Sequence, residues 1–230
     1  MARRRFFATR VQGDRASIEG AGAQHLASVL RVEPGQEYEL AWEGAVYLAR
    51  IERASSGAVA FAILERLAAP APVPQLEAGV AIFKFHRYEW MLEKATELGL
   101  TRLWPLVTRR TDAQLATAAT ARCRRWQQIA AQAAEQSRRA ELPEVAPPLA
   151  LRSFLSLPAT GNRWLLQESE AASTVLAPGT PCRLLIGPEG GWTPEEAAEA
   201  ATAGFTPVSL GSRILRCETA VLAALVLAAR

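Results

Sequence analysis

The chain has 230 residues, of which 50% are hydrophobic and 21% charged, and its formal net charge is +3. This composition is typical of a folded protein of one or two domains and excludes wholesale disorder. No stretch approaches the roughly 20 uninterrupted apolar residues of a membrane span, and no long apolar run follows the N-terminal arginines, so we expect neither a membrane partner nor a signal peptide. The three cysteines are widely spaced and there are two histidines, so we expect a cytoplasmic protein without disulfides or a metal site.

The first 70 residues have the pattern of a β-rich unit. Aromatic and branched apolar residues partly alternate, and two turn signals, at 43–44 and 55–57, separate three predicted strands at 36–42, 45–53 and 58–65. One short helix is predicted at 24–30. The proline-rich stretch 68–74 cannot hold a helix and reads as a linker. We therefore predict two domains, residues 1–70 and residues 71–230.

Residues 76–230 alternate short apolar runs with helical patterns. Strands are predicted at 79–83, 103–107, 164–167, 183–186 and 207–210, and helices at 88–98, 122–139, 193–204 and 219–229. The helix at 193 opens with a capping box and has proline at its first position. This alternation predicts an α/β fold, with a largely parallel sheet covered on both faces.

Basic charge is concentrated in the middle of the chain. Between residues 102 and 139 there are eight arginines against two acids. Arginine presents a planar fork of donors that suits phosphate, so the block is a candidate phosphate-binding face. A solvated helix face is the alternative, and charge alone does not separate the two.

The sharpest motif is the stretch 184–192, Leu-Leu-Ile-Gly-Pro-Glu-Gly-Gly-Trp. A buried strand runs directly into a glycine-rich turn and then into a capped helix, the position at which open α/β sheets bind ligands. The stretch has neither the Gly-Lys-Ser/Thr of a phosphate loop nor a dinucleotide fingerprint. The carboxylate of Glu189 suits a ligand with hydroxyl groups, an amino group or positive charge. The alternative is a tight turn with no ligand.

A second motif occupies residues 210–220, Leu-Gly-Ser-Arg-Ile-Leu-Arg-Cys-Glu-Thr-Ala. Four polar side chains, Arg213, Arg216, Glu218 and Thr219, lie between an apolar strand and an apolar helix, which is typical of a functional loop. The alternative is that Glu218 or Thr219 only caps the last helix. Cys217 has no histidine nearby in sequence, and we interpret it as a small packed side chain.

A third motif, residues 84–99, places basic residues at a strand-to-helix junction. We expect His86 to be exposed at the start of that helix rather than catalytic.

Together these segments resemble the RsmE family, the bacterial 16S ribosomal RNA uridine-N3 methyltransferases of the SPOUT superfamily. The resemblance rests on Glu-x-x-x-x-Lys-Ala-Thr-Glu-Leu-Gly ending at Gly99, on Glu-Gln-Ser-Arg-Arg followed by Pro-Glu-Val at 135–145, and on the two glycine-containing motifs above. The N-terminal unit adds Arg-Phe-Phe at 5–7 and His-Leu-x-x-Val-Leu-Arg at 25–31. The resemblance covers essentially the whole chain.

The resemblance implies a C-terminal trefoil-knotted α/β methyltransferase domain and an N-terminal PUA-like β-barrel that helps to hold RNA. It also implies a homodimer, with the last helix in the interface, and S-adenosylmethionine as cofactor. The cofactor would lie against the loops of the knot, which here are Leu166, Gln167, Ile186, Gly187, Pro188, Glu189, Gly190, Gly191, Leu210, Gly211, Ile214, Leu215, Arg216, Thr219 and Ala220.

The reaction that the family performs needs a deprotonated uracil N3 and stabilisation of the charge that develops on the ring. Arg216 is the first candidate for that stabilisation, and Glu218 or Glu189 could accept the proton. The expected RNA contacts, within the small ribosomal subunit, are Arg5, Arg31, Lys84, Arg87, Arg110, Arg122, Arg124, Arg125, Gln136 and Arg139.

Two positions depart from the family pattern. The turn after Lys84 is Phe85-His86 where the family usually has glycine and an acid, and Arg138 replaces the glycine of the Gln-Ser-Gly-Arg segment. Both changes add bulk or charge where RNA would approach. The competing interpretations are a SPOUT methyltransferase acting on another RNA, such as tRNA, and a non-catalytic RNA-binding factor for ribosome assembly.

Overall fold

The computed structural model describes residues 4–68, 74–168 and 179–229. The chain forms two compact units. The first unit combines Met1–Ala71 with Ala134–Leu142, and the second combines Pro72–Ala133 with Pro143–Arg230. Of the predicted linker at 68–74, residues 69–73 lie outside the described residues.

The first unit is built on a six-stranded sheet with the order β1-β4-β5-β6-β3-β2, in which β1 and β4 are parallel and the other pairs antiparallel. The three predicted strands are present, and three more precede them. A short helix, α1, continues into a π-helical turn at His25–Val29, where one regular helix is predicted. The bounds are β1 (Arg5–Phe7), β2 (Arg10–Gln12), β3 (Arg15–Glu19), α1 (Ala21–Gln24), β4 (Glu37–Trp42), β5 (Ala45–Ala54) and β6 (Ala58–Arg66).

This sheet is curled, because the chain passes from one of its edges to the other in two residues. The backbone N–H of Ala8 donates to the carbonyl of Ala41 in β4, at 3.0 Å. The next residue, Thr9, donates to the carbonyl of Ser17 in β3, at 2.8 Å. The two edges of the sheet therefore lie close together, around a core of buried side chains that includes Phe6, Leu26, Leu40, Ile51 and Phe61.

Within the first unit, a buried carboxylate connects the segment 134–142 to β1 and β4. Glu39, only 7% exposed, accepts hydrogen bonds from the guanidinium groups of both Arg5 and Arg138. Burial alone would raise the pKa of Glu39, but the hydrogen bonds from Arg138 and Arg5 hold it below its usual value. Arg138 has a φ of 56°, a conformation that costs an L-residue about 1–2 kcal/mol and glycine very little. The glycine that the resemblance leads us to expect here would adopt this backbone freely, and the ion pair with Glu39 offsets the strain of the arginine.

The second unit contains a sheet in which every described pair of strands is parallel. Its order is β10-β8-β7-β12-β11-β13, with β9 also paired to β8. The strands are β7 (Leu76–Ala81), β8 (Arg102–Val107), β9 (Glu144–Val145), β10 (Leu149–Ala150), β11 (Asn162–Leu166), β12 (Cys182–Ile186) and β13 (Thr206–Val208). The helices are α2 (Phe85–Glu97), α3 (Ala113–Gln136), α4 (Leu151–Leu155), α5 (Pro194–Thr202) and α6 (Cys217–Ala228).

Helices cover both faces of this sheet, as predicted. Successive residues of a strand point to opposite faces. Leu184 and Ile186 of β12 therefore pack with α2, α3 and α6 in one buried cluster, whereas Leu185 between them packs with α4 and α5 in another. This two-sided burial explains why β12 is buried at all five positions.

The strand predicted at 79–83 and the helix predicted at 88–98 both begin three residues earlier than predicted, at Leu76 and Phe85. The largest error is in the helix predicted at 122–139. α3 begins at Ala113 rather than at residue 122, and it ends at Gln136 rather than at 139. The side-chain oxygen of Asp112 accepts hydrogen bonds from the backbone N–H groups of Gln114 and Leu115, the usual action of a cap. At the other end, the left-handed backbone of Arg138 stops the helix. The elements β9, β10 and α4 are too short for a hydrophobic periodicity to predict them.

None of the helices in the described ranges is long and apolar enough to cross a membrane.

The side chain of Glu135, in the segment 134–142 of the first unit, leads to a prediction about the pH dependence of stability. Burial raises the pKa of its carboxyl to about 7, despite a backbone hydrogen bond from Phe7. The folded protein then binds a proton that the unfolded chain has already released, so the free energy of unfolding falls as the pH rises from about 4.5 to about 7. Glu135→Gln carries no such titration. We expect its stability to depend less on pH than the wild type over that range, as measured by urea denaturation.

Glu33→Gln, at an exposed glutamate of the same unit, is the matched control and keeps the wild-type dependence. An unchanged slope in Glu135→Gln contradicts the assignment.

Candidate functional site

A cavity of the second unit lies at the carboxyl ends of β11, β12 and β13. Its volume is about 750 Å³, within the range of roughly 300–1,000 Å³ typical of small-molecule sites. Its walls are formed by residues 166–168, 186–194, 208–211 and 213–217, with Ala197 and Ala220. Parallel strands end at the same edge of a sheet, so the loops that follow them converge there.

The glycine-rich turn is packed against a tryptophan. A Cβ on Gly187 would lie 3.0 Å from the ring of Trp192, so only glycine leaves the indole in its present place. The indole Nε1 donates to the carbonyl of Leu166 at 3.0 Å. Trp192 therefore fixes the turn after β12 to the end of β11.

The exit of the turn is fixed by the predicted capping box of α5. The hydroxyl of Thr193 accepts from the backbone of Glu196, and the Glu196 carboxylate accepts from the backbone of Thr193. Glu196 is only 4% exposed, and its second oxygen accepts from the backbone N–H of Arg109 at 2.8 Å. One buried carboxylate thus ties the start of α5 to the segment after β8.

An arginine from α2 lies between the two candidate acids. The Nε of Arg87 is 2.9 Å from Glu218, and its Nη1 is 3.4 Å from Glu189. Glu218 is 8% exposed, while the side chain of Glu189 is 49% exposed and lines the cavity. Arg87 is therefore part of this site, although its position beside a basic helix start predicts an RNA contact.

Cys217 is held as a thiol. Its Sγ lies 3.3 Å from the carbonyl of Gly187. Burial, together with the negative charges of Glu189 and Glu218, raises its pKa to about 12. A thiol this weakly acidic supplies almost no thiolate near neutral pH, which agrees with the interpretation of Cys217 as a packed side chain.

Two arginines line the cavity and have no carboxylate partner among the described residues. Arg213 and Arg216 both border it, and both are exposed. Arg216 occupies the residue before the first turn of α6, with extended backbone angles. These two side chains are available to a ligand that carries negative charge.

Every predicted cofactor-binding residue except Thr219 lines this cavity. Glu218, a predicted catalytic residue, does not line it and reaches the site through Arg87. Sequence reasoning missed Glu168, Val208 and Ser209 as walls of the cavity. Trp192 ends the glycine-rich motif and Thr193 opens the predicted capping box, so the sequence singled out both residues without assigning them to the site.

The predicted RNA contacts of the second unit fall into two groups. Lys84, Arg110, Arg122, Arg124 and Arg125 are all exposed, but their contacts differ. Arg125 lies 2.8 Å from Glu89, and Arg122 lies 3.7 Å from the same acid and over the ring of Phe85. Arg110 instead donates to the backbone carbonyls of Gly190 and Trp192.

The predicted RNA contacts of the first unit also differ among themselves. Arg31 and Gln136 are exposed, and Arg139 is half-buried. Burial lowers the pKa of Arg139. Arg5 is committed to Glu39, and its side chain is 11% exposed.

No cluster of histidine, cysteine, aspartate and glutamate in residues 4–68, 74–168 and 179–229 could hold a metal ion.

Comparison with known proteins identifies the class of domain. Residues 69–229 match a family described as an RNA methyltransferase domain. The chain is 35% identical to a Ribosomal RNA small subunit methyltransferase E of Synechocystis sp., over 91% of this chain and 71% of that protein. It is 33% identical to the protein of that name from Mycobacterium bovis, over 91% and 84% of the two chains.

Solved structures extend the comparison to the whole fold. A Ribosomal RNA small subunit methyltransferase E from Neisseria gonorrhoeae, bound to S-adenosyl methionine, superposes with a TM-score of 0.85 at 29% identity, covering 97% of this chain and 95% of that one. A methyltransferase structure from Legionella pneumophila, in complex with the bound cofactor SAM, has a TM-score of 0.86 at 29% identity and covers 98% and 96%.

Proposed function

The chain belongs to the ribosomal RNA small subunit methyltransferase E family, and from that premise we propose that it transfers a methyl group from S-adenosylmethionine to N3 of a uridine in 16S ribosomal RNA. The observation that carries the proposal is the cavity itself. Both glycine-containing motifs, which are 23 residues apart from Gly187 to Leu210 in sequence, meet in its walls.

The residues of the cavity suit this cofactor. Apolar side chains, among them Leu166, Ile186 and Leu215, give a wall for a flat aromatic base, and the glycines leave backbone donors and acceptors open to polar groups. The partly exposed carboxylate of Glu189 favours a ligand with positive charge. Two neighbours of the same fold carry the same cofactor.

The finer architecture belongs to the same proposal. We place a trefoil knot in the second unit and a PUA-like barrel in the first; the proposed domains at residues 71–230 and 1–70 match these units apart from residues 134–142, which group with the first unit. Support for the knot comes from the strand order, in which β12 lies between β7 and β11 while the later β13 lies beyond β11. Support for the barrel comes from the curl of the first sheet.

We extend the proposal to the assembly and setting that the resemblance implies. The enzyme works as a homodimer, with α6 in the interface, where Val226 and Leu227 expose apolar surface. It acts in the cytoplasm, on 16S ribosomal RNA of the small subunit.

When bound, S-adenosylmethionine supplies a methyl group on a positively charged sulfur, which is already activated for transfer. The protein has to align uracil N3 with that methyl group, receive the N3 proton and stabilise negative charge on the ring. The target base lies within folded RNA and has to be unstacked to reach the cavity.

Arg216 stabilises the charge that develops on the ring. It lines the cavity, and no carboxylate neutralises it among the described residues. Arg87 is less suited to this role, since Glu218 and Glu189 already balance its charge.

Glu189 is the better placed of the two candidate proton acceptors. Its carboxylate borders the cavity. Glu218 does not border the cavity, and its carboxylate is paired with Arg87. The proton of uracil N3 passes to the Glu189 carboxylate as the N3 electron pair forms the bond to carbon, and the electron pair of the broken carbon–sulfur bond stays on sulfur. Glu218 then orients Arg87, which orients Glu189.

Arg216→Ala tests the catalytic assignment. We expect kcat to fall by roughly 10²-fold, because one preorganised charge on a developing anion is worth about 3 kcal/mol. The Kd of S-adenosylmethionine, measured by calorimetry, stays within about twofold of the wild type.

Arg152→Ala, which removes an exposed arginine of α4 in the same unit, is the control and keeps the wild-type kcat. An unchanged kcat in Arg216→Ala removes Arg216 from catalysis.

Arg124→Ala tests the RNA-binding face on α3. Arg124 is exposed, and loss of one phosphate contact weakens binding and reduces the slope of log K against log salt by about 1. The measurement is RNA affinity across a salt series, with Arg152→Ala again as the variant of equal charge change. If both variants keep the wild-type slope, this part of α3 makes no phosphate contact.

A further inference from the structure

We propose that Arg110 is a positioning residue that holds the glycine-rich turn, residues 187–192, in the shape that lines the cavity. Sequence reasoning places Arg110 among the RNA contacts because it lies in the basic block. In the structure, Arg110 instead contacts the backbone of the glycine-rich turn. The inference rests on the proposed function only for the identity of the ligand.

Arg110 contacts the backbone of the turn directly. One guanidinium nitrogen, Nη1, donates to the carbonyl of Gly190, and it lies 3.4 Å from the carbonyl of Trp192. A Cβ on Gly190 would lie 3.2 Å from Cδ of Arg110, so the aliphatic stem packs where a side chain would stand. The absence of a side chain at Gly190 gives the arginine its access to the backbone.

The segment that carries Arg110 is itself held by hydrogen bonds. Thr108 and Thr111, on either side of it, share a hydrogen bond between their hydroxyl groups at 2.9 Å, and the Thr108 backbone N–H donates to the Thr111 hydroxyl at 3.0 Å. The backbone N–H of Arg109 donates to the buried carboxylate of Glu196. The backbone that carries Arg110 is therefore fixed both to the end of β8 and to the start of α5.

The turn needs an external support because of its composition. Three of its six residues are glycine, and glycine loses more conformational freedom on ordering than any other residue. A turn that is ordered before the ligand arrives avoids that loss at the moment of binding. The bonds from Arg110 to the two carbonyls order the turn in advance, so their removal weakens the ligand's affinity without removing a ligand contact.

Arg109 provides a matched control next to Arg110. Its side chain is 61% exposed and lies 3.7 Å from Glu195, which is 60% exposed. An exposed pair of this kind contributes little. Arg109→Ala thus removes the same charge, one residue away, and leaves the support of the turn intact.

The experiment compares Arg110→Ala, Arg110→Lys and Arg109→Ala with the wild type in three measurements. The first is amide hydrogen exchange of residues 189–193 in the protein without ligand. The second is the Kd of S-adenosylmethionine by calorimetry in the absence of RNA. The third is RNA affinity across a salt series.

We expect faster exchange in the turn of Arg110→Ala and a rise in Kd of roughly tenfold or more. Arg110→Lys keeps the charge but lacks the planar fork of donors, so we expect it to recover only part of the affinity. Arg109→Ala matches the wild type in exchange and Kd. The salt dependence of RNA binding stays unchanged in Arg110→Ala.

Wild-type exchange and Kd in Arg110→Ala overturn the proposal. So does equal loss of RNA affinity in Arg110→Ala and Arg109→Ala with an unchanged Kd, which makes Arg110 an RNA contact. If the wild type itself does not bind S-adenosylmethionine, the proposed function fails, while the exchange comparison still decides whether Arg110 supports the turn.

Discussion

The site depends on the parallel pairing of three neighbouring strands. In β11 and β12, Leu165 pairs with Leu185, and at the other side of β11, Leu166 pairs with Val208 of β13. This register brings the carboxyl ends of all three strands to one edge, so the segments that follow them line a single cavity. Hydrophobic burial on both faces fixes the register, because a shift of one residue would turn Leu184 and Ile186 to the wrong face.

Charge in this molecule acts mainly through pairing, and the basic block shows why a count of charges misleads. Arg102 pairs with Glu144, Arg125 with Glu89, and Arg138 with Glu39. Arg110 donates hydrogen bonds to backbone carbonyls of the glycine-rich turn. Arg124 on α3 and Arg216 at the cavity have no ion pair among the described residues, and we assign Arg124 to RNA and Arg216 to the substrate. Arginine therefore stabilises the fold at some positions, and at others it is free to bind RNA or substrate.

Local chemistry was predictable from the sequence, and contacts between distant segments were not. The capping box of Thr193 and Glu196 lies within four consecutive residues, so its residue types specify it directly. The glycine-rich turn and the motif at 210–220 are equally local, and their residues line the cavity. By contrast, Arg87 meets Glu218 across 131 residues, and Arg109 meets Glu196 across 87. No periodicity encodes such pairs. The start of α3 was missed because its cap, Asp112, stands before a run of alanines and threonines without a strong apolar stripe.

The most direct test of the account is the identity of the methylated nucleoside. The protein is incubated with labelled S-adenosylmethionine and small ribosomal subunits from a bacterium that lacks uridine-N3 methylation, with bare 16S ribosomal RNA and total tRNA in parallel, and the RNA is digested to nucleosides. The account predicts label in 3-methyluridine from the ribosomal RNA of the subunit. Label only in tRNA, label in another nucleoside, or no label from a protein that binds the cofactor would contradict it.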